Sequence, residues 1–362
     1  MATRKRTAKP VKRTRAEPPR KEEVLLIPSG VTLVNCQYSD RYDGGYRPGT
    51  FINKIGDSSA GKTIESLTCF AAVACDHRFD DYNLILDEAE YGEDFDKEKL
   101  FGKRLLKRLK APAYDAEGRP VYSNTVQDFH MHIKDHVDSG RPFIYVLDSW
   151  DAIDSEEDLK VLEKSRKSWK KGGKAEGSYG AAKAKQASAI LRNVKGDIAK
   201  TKSLVIIISQ TRDKMNAGAF EKKKTRSGGK ALKFYCWQEQ WMYLGAKITK
   251  AVHEIKYQIG VNTISITEKN RETGKLRKVT YPIYYDLGID DVGANIAYLL
   301  EMKYIKMKKN TLVVPELRFE GSKTSLIAYV EKNNLEKKLA RMVGKCWVEH
   351  EDSLKLNRKP RF

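Results

Sequence analysis

The sequence predicts an α/β protein: a mostly parallel sheet flanked by helices, a small α+β C-terminal domain behind it, and a disordered basic tail in front. Three observations predict this class. Short apolar runs ending in polar residues alternate with amphipathic stretches, as a parallel sheet covered by helices requires. The run Gly56-Asp57-Ser58-Ser59-Ala60-Gly61-Lys62-Thr63 reads G-x-x-x-x-G-K-T between a strand-like and a helix-like stretch. The 362 residues are enough for one large core and a smaller appended unit.

The elements follow in order. Residues 1–22 hold nine cations against Glu17 and Glu22 and little that is apolar, so they should stay disordered until they meet a polyanion. The core is read as residues 23–289. Arg47-Pro48-Gly49 is turn chemistry, and residues 50–55 form a β-branched and aromatic strand. Residues 63–74 carry apolar side chains at helical spacing. Residues 82–87, 143–148 and 204–210 are apolar runs read as buried strands. Residues 125–137 are helical, with Asn124 and Thr125 as caps, and 181–198 form an amphipathic helix. Segments 256–259 and 263–268 look like later strands. Residues 155–180 and 211–230 are rich in Lys, Ser and Gly, can bury little, and are expected to be mobile loops. From 290 to 345, a helix (292–302), a hairpin and a second helix (322–333) make the small domain. Residues 346–362 read as a basic C-terminal tail.

Lys plus Arg number 68 against 48 Asp plus Glu, a net charge of +20. The tail supplies seven of these charges, so the body is basic too, and nucleic acid is the expected partner. No apolar run reaches the roughly 20 residues of a membrane span, so no membrane partner is expected. The N-terminus has the charge of a secretory leader but not its apolar stretch. Five scattered cysteines without a C-x-x-C pair argue against disulfides and zinc and fit a cytoplasmic protein.

The glycines of the 56–63 run let backbone N–H groups close around phosphate oxygens. Lys62 adds a cation for the β/γ-phosphates, and Thr63 is placed to hold Mg²⁺. The helix behind it points its positive end at the same anion. The competing reading is a Gly-rich turn without a ligand. Three strand ends carry further chemistry, where sites in α/β sheets lie. Asp148 closes an apolar strand and would hold Mg²⁺ opposite Thr63, unless it only caps the next helix. Asp87, Glu88 and Glu90 crowd a second end; one of them could polarise an attacking water, and the residues alone do not choose among them. At the third end, the Gln210 amide can report whether a γ-phosphate is present, and a basic segment from Arg212 follows directly. His132 and His136 stand four apart on a helix but lack a third ligand, so a metal site there is not expected.

From about residue 24 to 335 the chain resembles the RecA recombinases. Thr225-Arg226-Ser227-Gly228-Gly229-Lys230-Ala231-Leu232-Lys233-Phe234-Tyr235 is similar to the family's G-G-x-A-L-K-F-Y run, which closes its second DNA-binding loop. Glu88-Ala89-Glu90 resembles its D-A-E, which implies that Glu90 is the catalytic carboxylate. Asp148-Ser149 resembles its Walker B, Ser209-Gln210-Thr211-Arg212 its N-Q-x-R, and Lys269-Asn270-Arg271 its K-N-K, whose cations reach the ATP of the neighbouring subunit. The resemblance implies a RecA-like ATPase core, a first DNA-binding loop near 167–181 with Lys170, Lys171 and Lys174, and a second near 211–230. In the second, Arg212, Lys222, Lys223, Lys224, Arg226, Gly228 and Gly229 would line the DNA, and Phe220 would stack on a base or sugar.

It further implies a DNA-dependent ATPase that polymerises as a helical filament on single-stranded DNA, also meets double-stranded DNA, and promotes pairing and strand exchange. An accessory or mediator protein of the same fold is the alternative. Glu88 and Arg271 replace the family's Asp and Lys, Arg108-to-Ser123 is a lengthened connection, and Lys97, with Phe95 nearby, falls where the family's adenine-stacking Tyr belongs. This divergence and the basic leader suggest a phage-encoded version, placed in a bacterial host's cytoplasm.

Overall fold

The computed structural model describes residues 24–92, 95–172, 181–213, 224–226, 229–309, 311–359 and 361. The N-terminal tail lies outside them. The chain begins with helix α1 (Thr32–Ser39), strand β1 (Thr50–Gly56) and helix α2 (Lys62–Ala74). Strand β2 (Asn83–Glu88), helix α3 (Lys97–Arg108), strand β3 (Leu109–Lys110) and a small hairpin of β4 (Ala113–Tyr114) and β5 (Pro120–Val121) follow. Next come α4 (Val126–Asp138), β6 (Phe143–Asp148), α5 (Glu156–Lys170), α6 (Ala181–Lys200) and β7 (Leu204–Asp213). Beyond them lie β8 (Lys224–Arg226), α7 (Gly229–Tyr235), the long hairpin β9 (Gln238–Val252) and β10 (Ile255–Asn270), β11 (Lys278–Tyr284) and β12 (Gly288–Ile289). The chain closes with α8 (Asp291–Glu301), the strands β13 (Lys306–Lys308), β14 (Thr311–Val314) and β15 (Phe319–Gly321), and helices α9 (Lys323–Lys332) and α10 (Glu336–Ser353).

The main sheet runs β12-β11-β10-β9-β1-β7-β6-β2-β3, with β8 paired to β7. From β9 to β3 neighbouring strands are parallel, and from β9 to β12 they are antiparallel. Strand alternation sorts the side chains into two layers. Ile52, Leu84, Leu86, Ile144, Val146, Ile206 and Ile208 face one layer with α1, α2, α8 and α10. Phe51, Ile85, Tyr145, Leu147, Val205 and Ile207 face the other with α4, α6 and α7. This is the α/β class the sequence predicts. Burial on both faces is why these strands read as unbroken apolar runs.

Several expectations need correction. Residues 155–180 are not all loop. Ser155 caps α5 through its side chain, Glu156, Glu157 and Asp158 occupy its first turn, and Lys167 and Lys170 its last. Capping and charge make this helix without a buried face, which is why composition misread it. Lys170 therefore ends a helix and Lys171 is its C-cap. The segment 211–230 is likewise framed by structure: β7 continues to Asp213 and pairs antiparallel with β8.

The two later strands, 256–259 and 263–268, are one strand, β10, bent by register shifts at Gln258/Gly260 and Val261/Thr263. The 346–362 tail is wrong at its start. Helix α10 runs to Ser353; Cys346 and Trp347 pack into the core, and buried Glu351 pairs with Arg277 and Lys275 at 2.5 and 2.8 Å. Nor do residues 290–345 form their own core. Ala294, Ile296, Val330 and Val343 share one cluster with Leu67 and Phe70 of α2, and Asp291 accepts hydrogen bonds of 2.7 Å from the Thr32 N–H and hydroxyl.

Candidate active site

The loop from Gly56 to Thr63 follows β1 and feeds α2, so the strand–loop–helix context is present. Gly56 cannot carry a side chain, since a Cβ there would sit 2.5 Å from the Met242 carbonyl. Gly61 caps α2 at φ +91°, a conformation glycine adopts without strain. Lys62 is buried, and its Nζ donates to the Gly56 and Asp57 carbonyls at 3.0 and 2.7 Å. Burial pushes its ammonium below the usual lysine range, so an arriving anion would gain from it.

The three strand ends converge on this loop. Gly56 lies level with Gln210 of β7, and Glu88 level with Asp148 of β6. The Thr63 hydroxyl donates to the Asp148 carboxylate. The Asp148 carboxyl is pushed up to about 6, first by burial and then by the charges of Glu90 and Glu88. A carboxylate and a hydroxyl meeting beside crowded acids form an oxygen donor set that suits a hard divalent cation.

The geometry separates the three acids of the second strand end. Asp87 is buried and accepts from the Ser123 N–H at 2.8 Å, the Ser123 hydroxyl at 2.5 Å and the Tyr145 hydroxyl at 2.6 Å; burial raises its carboxyl. Glu88 pairs with Lys97 at 3.5 Å. Glu90 turns to the loop side, where the Ser149 hydroxyl and the Gln210 amide (3.1 Å) donate to its Oε1. The Gln210 N–H donates to Asp151 at 2.7 Å.

Asp57, at the second position of the loop, reaches across to the β7–β8 pair. The Thr211 hydroxyl and the Lys224 ammonium both donate to it, and these bonds, Lys224 foremost, hold its carboxyl below the usual range. Arg226 on the same short strand pairs with buried Glu239. The sequence reading missed both contacts. They join residues 167 and 13 positions apart, and no local pattern announces them.

Beside the loop opens a cavity of about 310 Å³ lined in part by Phe95, Leu100, Val261, Ile283, Tyr284 and Tyr285. The Lys97 ammonium lies 5.8 Å from the Phe95 ring centre, so Phe95 rather than Lys97 presents an aromatic face here. Tyr284 and Tyr285 were not foreseen; their signal is an aromatic pair at the end of an alternating strand.

Lys269 and Arg271 lie elsewhere. Asn270 stands opposite Gln238, which stands opposite Ile52, four residues before Gly56. The pair is thus about 13 Å down the strand direction and two strands across from the phosphate loop of its own chain. Within the chain they have partners of their own. Lys269 donates to the Lys233 and Phe234 carbonyls and Arg271 to the Phe234 carbonyl at 3.1 Å, closing the C-terminus of α7.

Of the DNA-loop residues, Lys170, Lys171, Arg212 and Gly229 are exposed and Lys224 and Arg226 half-buried. Arg212 pairs with Asp151 at 3.5 Å. Lys174, Phe220, Lys222, Lys223 and Gly228 lie outside the described residues. His132 meets the Ser123 hydroxyl and His136 the Pro112 carbonyl, at 3.0 and 3.1 Å. No cluster of three metal-ligating side chains occurs among the described residues, and none of the described helices is long and apolar enough to cross a membrane.

A parallel sheet with a strand–glycine loop–helix unit at its carboxyl end places the chain among α/β proteins of the phosphate-loop type. The family model for the RecA N-terminal domain matches residues 166–290, a stretch that begins after the phosphate loop. A plasmid-encoded protein RecA of Lactococcus lactis subsp. lactis is 28% identical over 259 residues, covering 72% of this chain and 65% of that protein. Protein RecA of Lactococcus lactis subsp. cremoris is 26% identical over 286 residues (79% and 66%), and that of Francisella tularensis subsp. novicida 25% over 268 residues (74% and 65%). The chain is thus similar to RecA proteins over about three quarters of its length. It spans just under two thirds of the length of these relatives.

Proposed function

We propose that the chain binds ATP with Mg²⁺ at this sheet end and hydrolyses it in response to DNA. In this reading it assembles as a filament on single-stranded DNA, meets a duplex there, and promotes pairing and strand exchange. The observation that carries the reading is the contact of Gln210 with Glu90. It puts the candidate water-polarising carboxylate and the candidate phosphate sensor in one hydrogen bond, on the strand that continues into Arg212.

In this reading the loop N–H groups from Asp57 through Gly61 and the Lys62 ammonium hold the phosphates. Thr63 and Asp148 would hold Mg²⁺, whose charge, when it is bound, offsets negative charge on the phosphate oxygens. Glu90 accepts the proton of the attacking water. Gln210 gives up its bond to Glu90 for the γ-phosphate, which shifts the start of the β7–β8 pair. The base enters the cavity at Phe95, Tyr284 and Tyr285 and stacks there. Lys269 and Arg271 serve the phosphates of a neighbouring subunit, exchanging α7 carbonyls for charged oxygens. Arg212, Lys224 and Arg226, with Lys170, Lys171, Lys174, Lys222 and Lys223, take DNA phosphates; Phe220 stacks on a base or sugar, and Gly228 and Gly229 allow close backbone approach.

ATP hydrolysis measured with and without single-stranded DNA tests this, with electron microscopy of the same mixtures. Turnover that rises with DNA, alongside filaments, is expected. Turnover indifferent to DNA and no filaments would overturn the recombinase reading and leave an accessory role.

A further inference from the structure

Helix α5 spends fifteen residues on almost no core. Asp158 is its only buried residue, while Leu159, Leu162 and Trp169 are 39, 45 and 73% exposed. Trp150, Trp241 and Trp347, by contrast, are at most 6% exposed. Residues 164–171 carry Lys164, Arg166, Lys167, Lys170 and Lys171, all exposed, and no acid. At 100° per residue, Leu159, Leu162, Arg166 and Trp169 share one face, with Lys170 at its margin.

The foot of the helix is fixed on the candidate DNA side of the molecule. The segment leaving β6 hydrogen-bonds through Asp151 to the Gln210 N–H and pairs with Arg212. The Trp150 N–H donates to the Ile208 carbonyl at 2.8 Å. Lys183 of α6 donates its N–H to Asp158 at 3.2 Å and its ammonium to the Trp150 carbonyl at 2.6 Å. A rigid base and an outward indole among cations make a stacking platform with phosphate contacts around it. Cations near a helix C-terminus also answer the helix dipole, but the dipole gives no reason to hold an indole in water.

We propose that α5 is a single-stranded DNA contact arm in which Trp169 stacks on an unpaired base while Arg166 and Lys170 take the flanking phosphates. Unpaired bases offer the π-face that a duplex hides, which selects single strands over duplex. The proposal rests on the DNA-binding reading above and adds to it a rigid aromatic contact.

Anisotropy of a labelled oligo-dT strand with the full chain tests it, for wild type, Trp169→Ala, Trp169→Phe and the double variant Arg166→Ala/Lys170→Ala. Trp169→Ala should weaken binding roughly five- to hundredfold, and Trp169→Phe should keep most of the affinity. The double cation variant should flatten the salt dependence, which Trp169→Ala leaves unchanged. Wild-type tryptophan emission should be quenched by oligo-dT, and that quench should shrink in Trp169→Phe. Wild type that fails to bind any oligo-dT removes the DNA-binding reading itself. Normal wild-type binding with both alanine variants and the quench unaffected overturns the arm alone. So does a change in oligomeric state without a change in DNA affinity, which would assign the face to a second copy.

Discussion

Replacing Glu65 by Leu removes the hub of a charge network buried one turn behind Lys62 and Thr63. The Glu65 carboxylate lies 3.0 Å from the Lys54 ammonium, and both side chains are fully inaccessible to water. Glu65 also accepts from the Gln240 amide at 2.9 Å, the Tyr46 hydroxyl at 3.3 Å and the Tyr281 hydroxyl. Lys54 makes no hydrogen bond among the described residues beyond that ion pair. The single variant leaves a cation buried without its partner, which costs about 3–5 kcal/mol. The stranded Tyr281 hydroxyl adds about 1–3 kcal/mol. Against a total stability of roughly 5–15 kcal/mol, Glu65→Leu should lower the urea midpoint severely.

The double variant Lys54→Met/Glu65→Leu removes both charges at similar volume, a change worth from zero to about 4 kcal/mol in favour of the fold. Gln240 keeps its 2.9 Å bond to Ser265, while the Tyr281 hydroxyl is stranded here too, so the double variant should fall within about 3 kcal/mol of wild type and above Glu65→Leu. Urea unfolding followed by circular dichroism, with both single variants completing the cycle, measures this. A Glu65→Leu cost under about 1 kcal/mol, or a double variant as unstable as the single, would refute the reasoning.

Three further outcomes are expected. Glu90→Gln should keep nucleotide binding while turnover drops about 10²-fold or more; a turnover rate within threefold of wild type moves the water-polarising role elsewhere. Asp57→Asn should release Lys224 from the phosphate loop and raise DNA affinity in the absence of nucleotide, read by anisotropy; an unchanged or lower affinity means the contact does not compete with DNA. Glu351 is held down to about 2, first by hydrogen bonds from Arg277 and then by Lys275. Its folded-state value is depressed, so its stabilisation is complete above about pH 4.5 and decays as pH falls toward 2. Glu351→Gln should flatten the acid limb of the thermal midpoint between those values, and an unaltered limb would contradict the assignment.

The strands of the core were legible because burial on both faces leaves nothing polar to blur them. The helix after Thr125 was legible because its cap and Asp128 form a reciprocal box. Helix α5 was misread because Lys, Ser and Gly were weighed as composition. Its real signal is positional: a Ser cap, three acids in the first turn, cations in the last. At the site, the phosphate loop and Asp148 stand at readable strand ends. Choosing Glu90 from three neighbouring acids needed the resemblance, and the fold supplies a physical reason: Asp87 turns inward to Tyr145 and Glu88 toward Lys97. The pair Lys54–Glu65 left one trace, a lysine in the middle of a buried strand. Asp57–Lys224 left none, since the chain closes that contact only through the full sheet.

The register that places Lys269 and Arg271 away from the phosphate loop of their own chain bears on stoichiometry. If each catalytic unit takes its loop from one copy and its two cations from the next, a linear row of n copies holds n − 1 complete units. One terminal copy is always inactive, and a lone copy has no complete unit at all. Turnover per chain would then climb steeply with protein concentration, starting near zero, and level off once rows are long. Two defective copies, one lacking Lys62 and the other lacking Lys269 and Arg271, would restore turnover when mixed, at junctions of only one of their two possible orders.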